Sequence, residues 1–356
     1  MKNEKKLTLK DVAEQLNVST ATISNAFNRP DQLSAKLKES ILSRCKEMGY
    51  YGPNAAARSL RTGRTGIVGI VLSDELSYSL SDPVANQFIT GMAEVLEKNN
   101  YNMLLLSASE LSSDSQRRMQ SSMVDGFIVY GYKSQQYRDA PWLDKSKNVV
   151  VVDSHIPGAS SVNVTNEQGA FDIAVHALQH RPQSVAIMGL ELLETDRVCR
   201  IFDDELLDAD TSISIQRLHG YRRALEQNGM QISSEQIWNI PHNTHKLAYQ
   251  AAREALMMAN RPQLLLCMSD RIALAAVQAA LHMGVRVPEE LHVVGFDGIP
   301  ESDTFHPSIT TVHQQTVEKG RIAAEMFLGL RPSCNVELQT KLKVGLSCPV
   351  VNSSTA

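Results

Sequence analysis

From Gly66 onward the chain repeats one unit, a short apolar run followed by an amphipathic segment. The runs are "GIVGIVL" (66–72), "NMLLLS" (102–107), "GFIVYG" (126–131), "NVVVVDS" (148–154), "SVAIMG" (184–189), "QLLLCMSD" (263–270) and "LHVVGFDG" (291–298). They lack the polar alternation of a strand with one wet face, so they read as strands covered on both faces. Between them, 86–98, 167–180, 217–228, 244–259 and 270–283 read as helices. Only helices packed on both sides of parallel sheets bury such strands, which predicts a doubly wound α/β body. The glycines of "GIVGIV" fall inside a strand run and read as close-packing positions.

Ligands of doubly wound sheets sit beyond the carboxyl ends of the strands. That rule selects Asp153 after "VVVV", Ser269 and Asp270 after "LLLCM", and Asp297 after "VVGF". Asp and Ser also cap the helix that follows a strand. Capping is the expectation for Asp270, and ligand contact for Asp153 and Asp297.

Several function classes find no support. There is no GxSxG elbow, P-loop, HExxH or GxGxxG opening a helix, so no enzyme is expected. The five cysteines form no CxxC pair and read as reduced thiols. In "HNTH", His242 and His245 have no third ligand nearby in sequence, so neither a metal site nor a cofactor is expected. No apolar run approaches the ~20 residues that span a bilayer. "MKNEKKLTLKD" has no apolar segment after its lysines, so it does not read as a signal peptide, and a cytoplasmic location is expected.

The charge is unevenly spread. Residues 1–66 hold twelve Lys/Arg and six Asp/Glu, a net of +6, which leaves 23 basic and 33 acidic residues, a net of −10, for the remainder. Only the N-terminal segment is suited to a polyanion. Within it, Thr8 can cap a helix from Leu9 whose apolar face is Val12, Ala13 and Leu16. Ser19 can cap a second with Ile23, Ala26 and Phe27 inward. A third starts near Ser34, with Leu37, Ile41, Cys45 and Met48 on one face and Gly49 as its stop. Three short helices around one core fit a helix-turn-helix domain. "YYGPNAAARSLRTGRT" then allows a helix of about eight residues, too short to stand alone in water. Leu60 is its one large apolar side chain, flanked by Arg58, Arg61 and Arg64. This composition suits a wedge between base steps, with arginines on phosphates.

Three motifs, "TLKDVAEQLNVSTATISNAFN" (8–28), "PNAAARSLRTGRT" (53–65) and "VPEELHVVGFDGIPESDTFHPSITTVHQ" (287–314), lie in the order and spacing of the LacI/GalR transcription regulators, which the chain resembles over nearly its whole length. The resemblance implies a helix-turn-helix head (1–49), a hinge helix (50–65), and a two-lobed α/β body of periplasmic-binding-protein type (66–356). It implies a homodimer on a pseudo-palindromic double-stranded operator. Carried over by position, Thr20, Ala21 and Asn25 face bases. Thr22, Ser24 and Asn28 meet phosphates or brace the recognition helix. Leu60 is the wedge, with Asn54, Ala57 and Arg61 in or near the minor groove and Arg58 among the DNA-binding residues beside it.

In the body, Arg217 matches an arginine that meets effector hydroxyls or a carboxylate. Ser269 and Val164 occupy pocket positions where an Asn and an aromatic are common. "SDPVANQF" (81–88) lacks two aromatic rings of the usual pattern, so a stacking platform must come from Tyr78, Phe88, Trp142 or Phe202, or be absent. The extra residue in "YYGPN" also departs from many members. No leucine heptad follows "KLKVGLSCPV", which predicts a dimer through the lobes. The expected function is that of an operator-binding regulator, most simply a repressor, under a carbohydrate or related small-molecule effector. A transport-type binding protein is the alternative.

Overall fold

The computed structural model describes residues 7–52, 63–108, 122–131, 148–202, 207 and 212–351. The chain divides into two compact units. One comprises the residues up to Ile67 with Met123–Asp125, the other the remainder.

The first unit contains α1 (Leu9–Leu16), α2 (Thr20–Asn28) and α3 (Ala35–Glu47). Thr8 and Asp11 form a reciprocal capping box on α1, and Asn17 ends it in the left-handed region. Ser19 and Ser34 cap the next two helices through Thr22 N and Leu37 N. Val12, Ala13, Ile23, Ala26, Ile41 and Cys45 make the core, with Tyr50 closing it edge-on to Phe27. Leu37 departs from expectation. It is 40% exposed on the first turn of α3, and Leu42 packs against the core instead. Beyond the helices, Asp125 accepts hydrogen bonds from Thr65 N (2.6 Å), Thr65 Oγ1 (2.8 Å) and Gly66 N (3.0 Å).

The second unit has two lobes, each built on its own sheet. The first sheet contains β1 (Ile67–Leu72), β2 (Asn102–Ser107), β3 (Gly126–Tyr130), β4 (Asn148–Val152), β5 (Ser160–Val164) and β12 (Asn335–Leu338), in the order β12-β5-β4-β3-β1-β2. The second contains β6 (Val185–Leu190), β7 (Cys199–Arg200), β8 (Ile237–Ile240), β9 (Leu264–Cys267) and β10 (His292–Val294), in the order β10-β9-β6-β8-β7. The pairings are parallel except β7 on β8, within the registers resolved. β11 (Thr311–His313) and β13 (Lys341–Lys343) form a separate antiparallel pair.

All twelve apolar or amphipathic segments named from sequence, seven runs and five helical segments, fall on strands or helices. The helices are α4 (Leu76–Ser79), α5 (Pro83–Lys98), α6 (Asn166–Leu178), α7 (Ile213–Gln227), α8 (His245–Leu256), α9 (Asp270–His282), α10 (Glu301–Thr304) and α11 (Thr316–Phe327). Although α11 follows the whole second sheet in sequence, its Ile322, Ala323, Met326 and Phe327 pack into the first lobe, with Val68, Ile70, Phe88 and Met92. Its crossing with α5 is set by two glycines. A Cβ on Gly91 would stand 1.9 Å from Val317 O, and one on Gly320 2.2 Å from Phe88 O. Only backbone fits there, so the two helices touch main chain to main chain.

Candidate functional site

In the head, the exposed side of α2 presents Thr20 and Ala21 fully and Thr22, Ser24 and Asn25 in part. Thr22 Oγ1 lies 2.8 Å from Ser19 Oγ, and Asn28 Nδ2 donates to Ser24 O at 3.0 Å. Two of the positions read as phosphate contacts or braces thus tie the helix to itself, and the three read as base-facing stand clear of its core. Asn54, Ala57, Arg58, Leu60 and Arg61 of the hinge lie outside the described residues, as does Trp142.

In the body, the carboxyl ends of both sheets converge on a buried hydrogen-bonded chain. Asp153 follows β4 with φ 54° and its carboxylate takes a bond from Lys319 Nζ of α11 at 2.6 Å. Lys319 Nζ also donates to Gln314 Oε1 at 3.0 Å. Gln314 Nε2 donates to Asp297 Oδ1 at 2.8 Å, and Arg217 Nη1 reaches the same oxygen at 3.4 Å. Arg217 Nε ends the series on Asn166 Oδ1 at 3.1 Å. Lys319 is 0% exposed and Arg217 4%, Asn166, Asp297 and Gln314 are likewise buried, and Asp153 keeps 4% of its side-chain surface. The amide orientation of Gln314 follows from its partners, because an ammonium can only donate and Asp297 Oδ1 accepts. Asp153 Oδ1 is a buried acceptor with no donor among the described residues. Such an atom is suited to a hydroxyl or amide N–H brought by a ligand.

Electrostatics single out Asp297. Burial pushes its carboxyl up to about 8 against the opposing pull of Arg217. Arg217 is committed elsewhere as well, since it donates to Met268 O and lies 3.7 Å from the centre of the Phe296 ring. Asp270 is a structural carboxylate but not the cap expected of it, since Ser269 takes that place on α9. Its Oδ2 accepts from Gly298 N and Ile299 N and its Oδ1 from Thr311, which fixes the loop carrying Asp297. Ser269 caps α9 and donates to Asn243 Oδ1 at 2.8 Å. Val164 ends β5 with 2% exposure, so it can offer at most an apolar wall.

The aromatic question also has an answer. Phe88 is fully buried, but it stacks on Tyr130 with centroids 4.6 Å apart and planes at 17°. Tyr130 ends β3, beside the carboxylates. Burial raises its phenol well above the ordinary value, and Asp153, Asp82 and Asp297 add to the effect. Phe202 is a correction. It follows β7, which runs antiparallel to β8, and therefore lies at the amino end of that strand, 64% exposed under Arg200. Sequence reasoning passed over Tyr130, Gln314, Lys319 and Asn166. The one signal for Lys319 was its place beside Gly320, Ala323 and Phe327 on an apolar helix face.

Among the described residues no helix is long and apolar enough to cross a membrane. The description "Bacterial regulatory proteins, lacI family" matches residues 8–54, and "Periplasmic binding protein-like domain" matches 201–354. An HTH-type transcriptional regulator of Mycobacterium tuberculosis is 34% identical, over 91% of this chain and 91% of its own. The lac repressor dimer bound to operator and the anti-inducer ONPF shares the fold at a TM-score of 0.77 and 20% identity, over 97% of this chain and 100% of that one. A CelR–cellobiose complex does so at 0.65 and 24%, over 96% and 99%. With its helix-turn-helix head and two-lobed α/β body, the chain belongs to the LacI family of HTH-type transcriptional regulators.

Proposed function

We propose that the chain is a repressor that binds a pseudo-palindromic operator as a homodimer and is controlled by a small, uncharged, hydroxyl-rich effector of the carbohydrate class, held between its lobes. Thr20, Ala21 and Asn25 read bases. Asn25 is the side chain suited to a bidentate contact with adenine. Thr22, Ser24 and Asn28 meet phosphates or brace the helix. Leu60, with Asn54, Ala57, Arg58 and Arg61, enters the minor groove. Asp153, Arg217 and Asp297, with Ser269 and Val164 at the margin, form the effector site. The protein works in the cytoplasm and performs no catalysis.

The observation that carries this reading is the buried series from Asp153 to Arg217 at the carboxyl ends of both sheets. Asp153 is matched by Lys319 within the protein and burial keeps Asp297 protonated through neutral pH, so the series offers no unmatched anion to a cationic effector, and the orphan acceptor Asp153 Oδ1 disfavours an anionic one. Hydroxyls can instead donate to Asp153 Oδ1 while a sugar face lies on Tyr130. The cellobiose and operator complexes of the similar regulators support the same assignment. An effector changes operator affinity only by binding two lobe arrangements unequally.

The test is a thermal-shift screen of neutral sugars, sugar acids and sugar phosphates, followed by operator binding with each hit. A neutral sugar should raise the melting temperature and alter operator affinity. Arg217→Ala should abolish both responses while leaving operator binding near normal. Selective stabilisation by a sugar phosphate would refute the neutral-ligand reading.

A further inference from the structure

Outside the buried series, one cation joins the two lobes at a second place. Arg271 is the second residue of α9, in the lobe of the second sheet. A positive charge in the first turn opposes the helix dipole, so its position is not explained by α9 itself. Its guanidinium divides between the lobes. Nη1 donates to Asn243 O at 2.8 Å within its own lobe. Nη2 donates to Ser81 O at 2.9 Å and lies 3.6 Å from Asp82 Oδ1, at the start of α5 in the other lobe.

The surroundings are built to receive it. Asp82 caps α5 through Ala85 N at 3.1 Å, so one of its oxygens serves the helix while the other faces Arg271. Asn243 is anchored from below by Ser269 Oγ, and its carbonyl also takes a bond from Tyr78 OH at 3.4 Å, again from the first lobe. The Tyr78 ring lies 5.9 Å from the guanidinium carbon. The side chains of Arg271 and Asp82 keep 20% and 13% of their surface, in contrast to the buried floor formed by Lys319 and Gln314.

We propose that Arg271 is a positioning residue that latches the lobes together before any effector binds, through Ser81 and Asp82. Admission of an effector to the buried series then requires the latch to open. Its strength sets how much effector is needed to shift the lobes, without contact between Arg271 and the effector. The regulatory consequence rests on the cleft being the effector site. The latch itself does not, and its test uses no effector.

The experiment measures lobe separation in the unliganded full chain. Nitroxides are placed at Asn99→Cys and Met257→Cys, on exposed helix ends of the two lobes, in a Cys199→Ser, Cys334→Ser background. Excess unlabelled chain keeps the measurement within one protomer. The parent should give one narrow distance. Arg271→Met should add a longer, broader component, with the open-to-closed ratio raised about ten- to a hundredfold, the range expected for losing a charged hydrogen-bonding partner.

Asp82→Asn preserves the cap on α5 and removes the charge. It should shift the distribution in the same direction but less, since Ser81 O remains. Arg271→Lys keeps the ion pair but cannot span all three acceptors, and should fall between the parent and Arg271→Met. An unchanged distribution in both Arg271→Met and Asp82→Asn overturns the proposal. If Arg271→Met fails to fold, Asp82→Asn alone decides.

Discussion

Replacing Asp297 by Asn removes a titrating proton from the cleft floor without removing an acceptor, because the amide oxygen can still take the bonds from Gln314 and Arg217. Burial raises the carboxyl from 3.8 in the open chain to about 8 in the native protein. Below pH ~4 both states are protonated and the group does not favour either. Between about 4 and 8 the unfolded chain has released its proton and the folded chain retains it. Stability therefore falls as pH rises through that window and levels off above it. The limiting slope is about 1.4 kcal/mol per pH unit, so the wild type should lose about 3 kcal/mol relative to Asp297→Asn between pH 5 and 7. Urea unfolding of both proteins at pH 5, 6, 7 and 8, followed by tryptophan fluorescence, gives the difference directly. Other titrations cancel in it. A constant difference across this range would mean that Asp297 is already ionised at pH 5 and held by Arg217 as an ordinary ion pair, and the account of the cleft floor would fail.

Leu60→Ala should weaken operator binding far more than binding to unrelated DNA in a filter or gel assay, since it removes a wedge and no charge; equal losses would remove Leu60 from the minor groove. Gly320→Ala places a Cβ 2.2 Å from the Phe88 carbonyl, so α11 must lift from α5. A loss of about 1–3 kcal/mol in unfolding free energy is expected, and an unchanged midpoint would contradict the backbone contact.

Much of the architecture was legible because buried parallel strands must be apolar on both faces. "VVVV" and "LLLC" have no other good use, and they became β4 and β9. Strands with polar neighbours were harder: "SSVNV" and "IWNI" formed β5 and β8 by pairing in register beside stronger strands. The strand-end rule located Asp153 and Asp297, because position alone carries that signal. It could not find Gln314 or Lys319, which reach the same place from a crossover and a helix more than a hundred residues after Asp153. In "HNTH" attention fell on the histidines, whereas Asn243 between them holds the rim. His245 instead bonds Gln278. Phe202 stood beside Tyr78, Phe88 and Trp142 as a candidate platform until the direction of β7 placed it at the wrong end of the sheet.

The packing of α11 into the first lobe has a consequence for synthesis. β1 to β5 leave the ribosome early, but the apolar face they share with α11 stays uncovered until residue 327 has emerged. The second sheet, contiguous from Val185 to Val294, is complete before then. The lobe made first should therefore finish folding last. Ribosome-bound chains arrested with residue 314 exposed should show protease protection over 185–294 and little over 67–164. Early protection of both would show that the first lobe can close without its last helix.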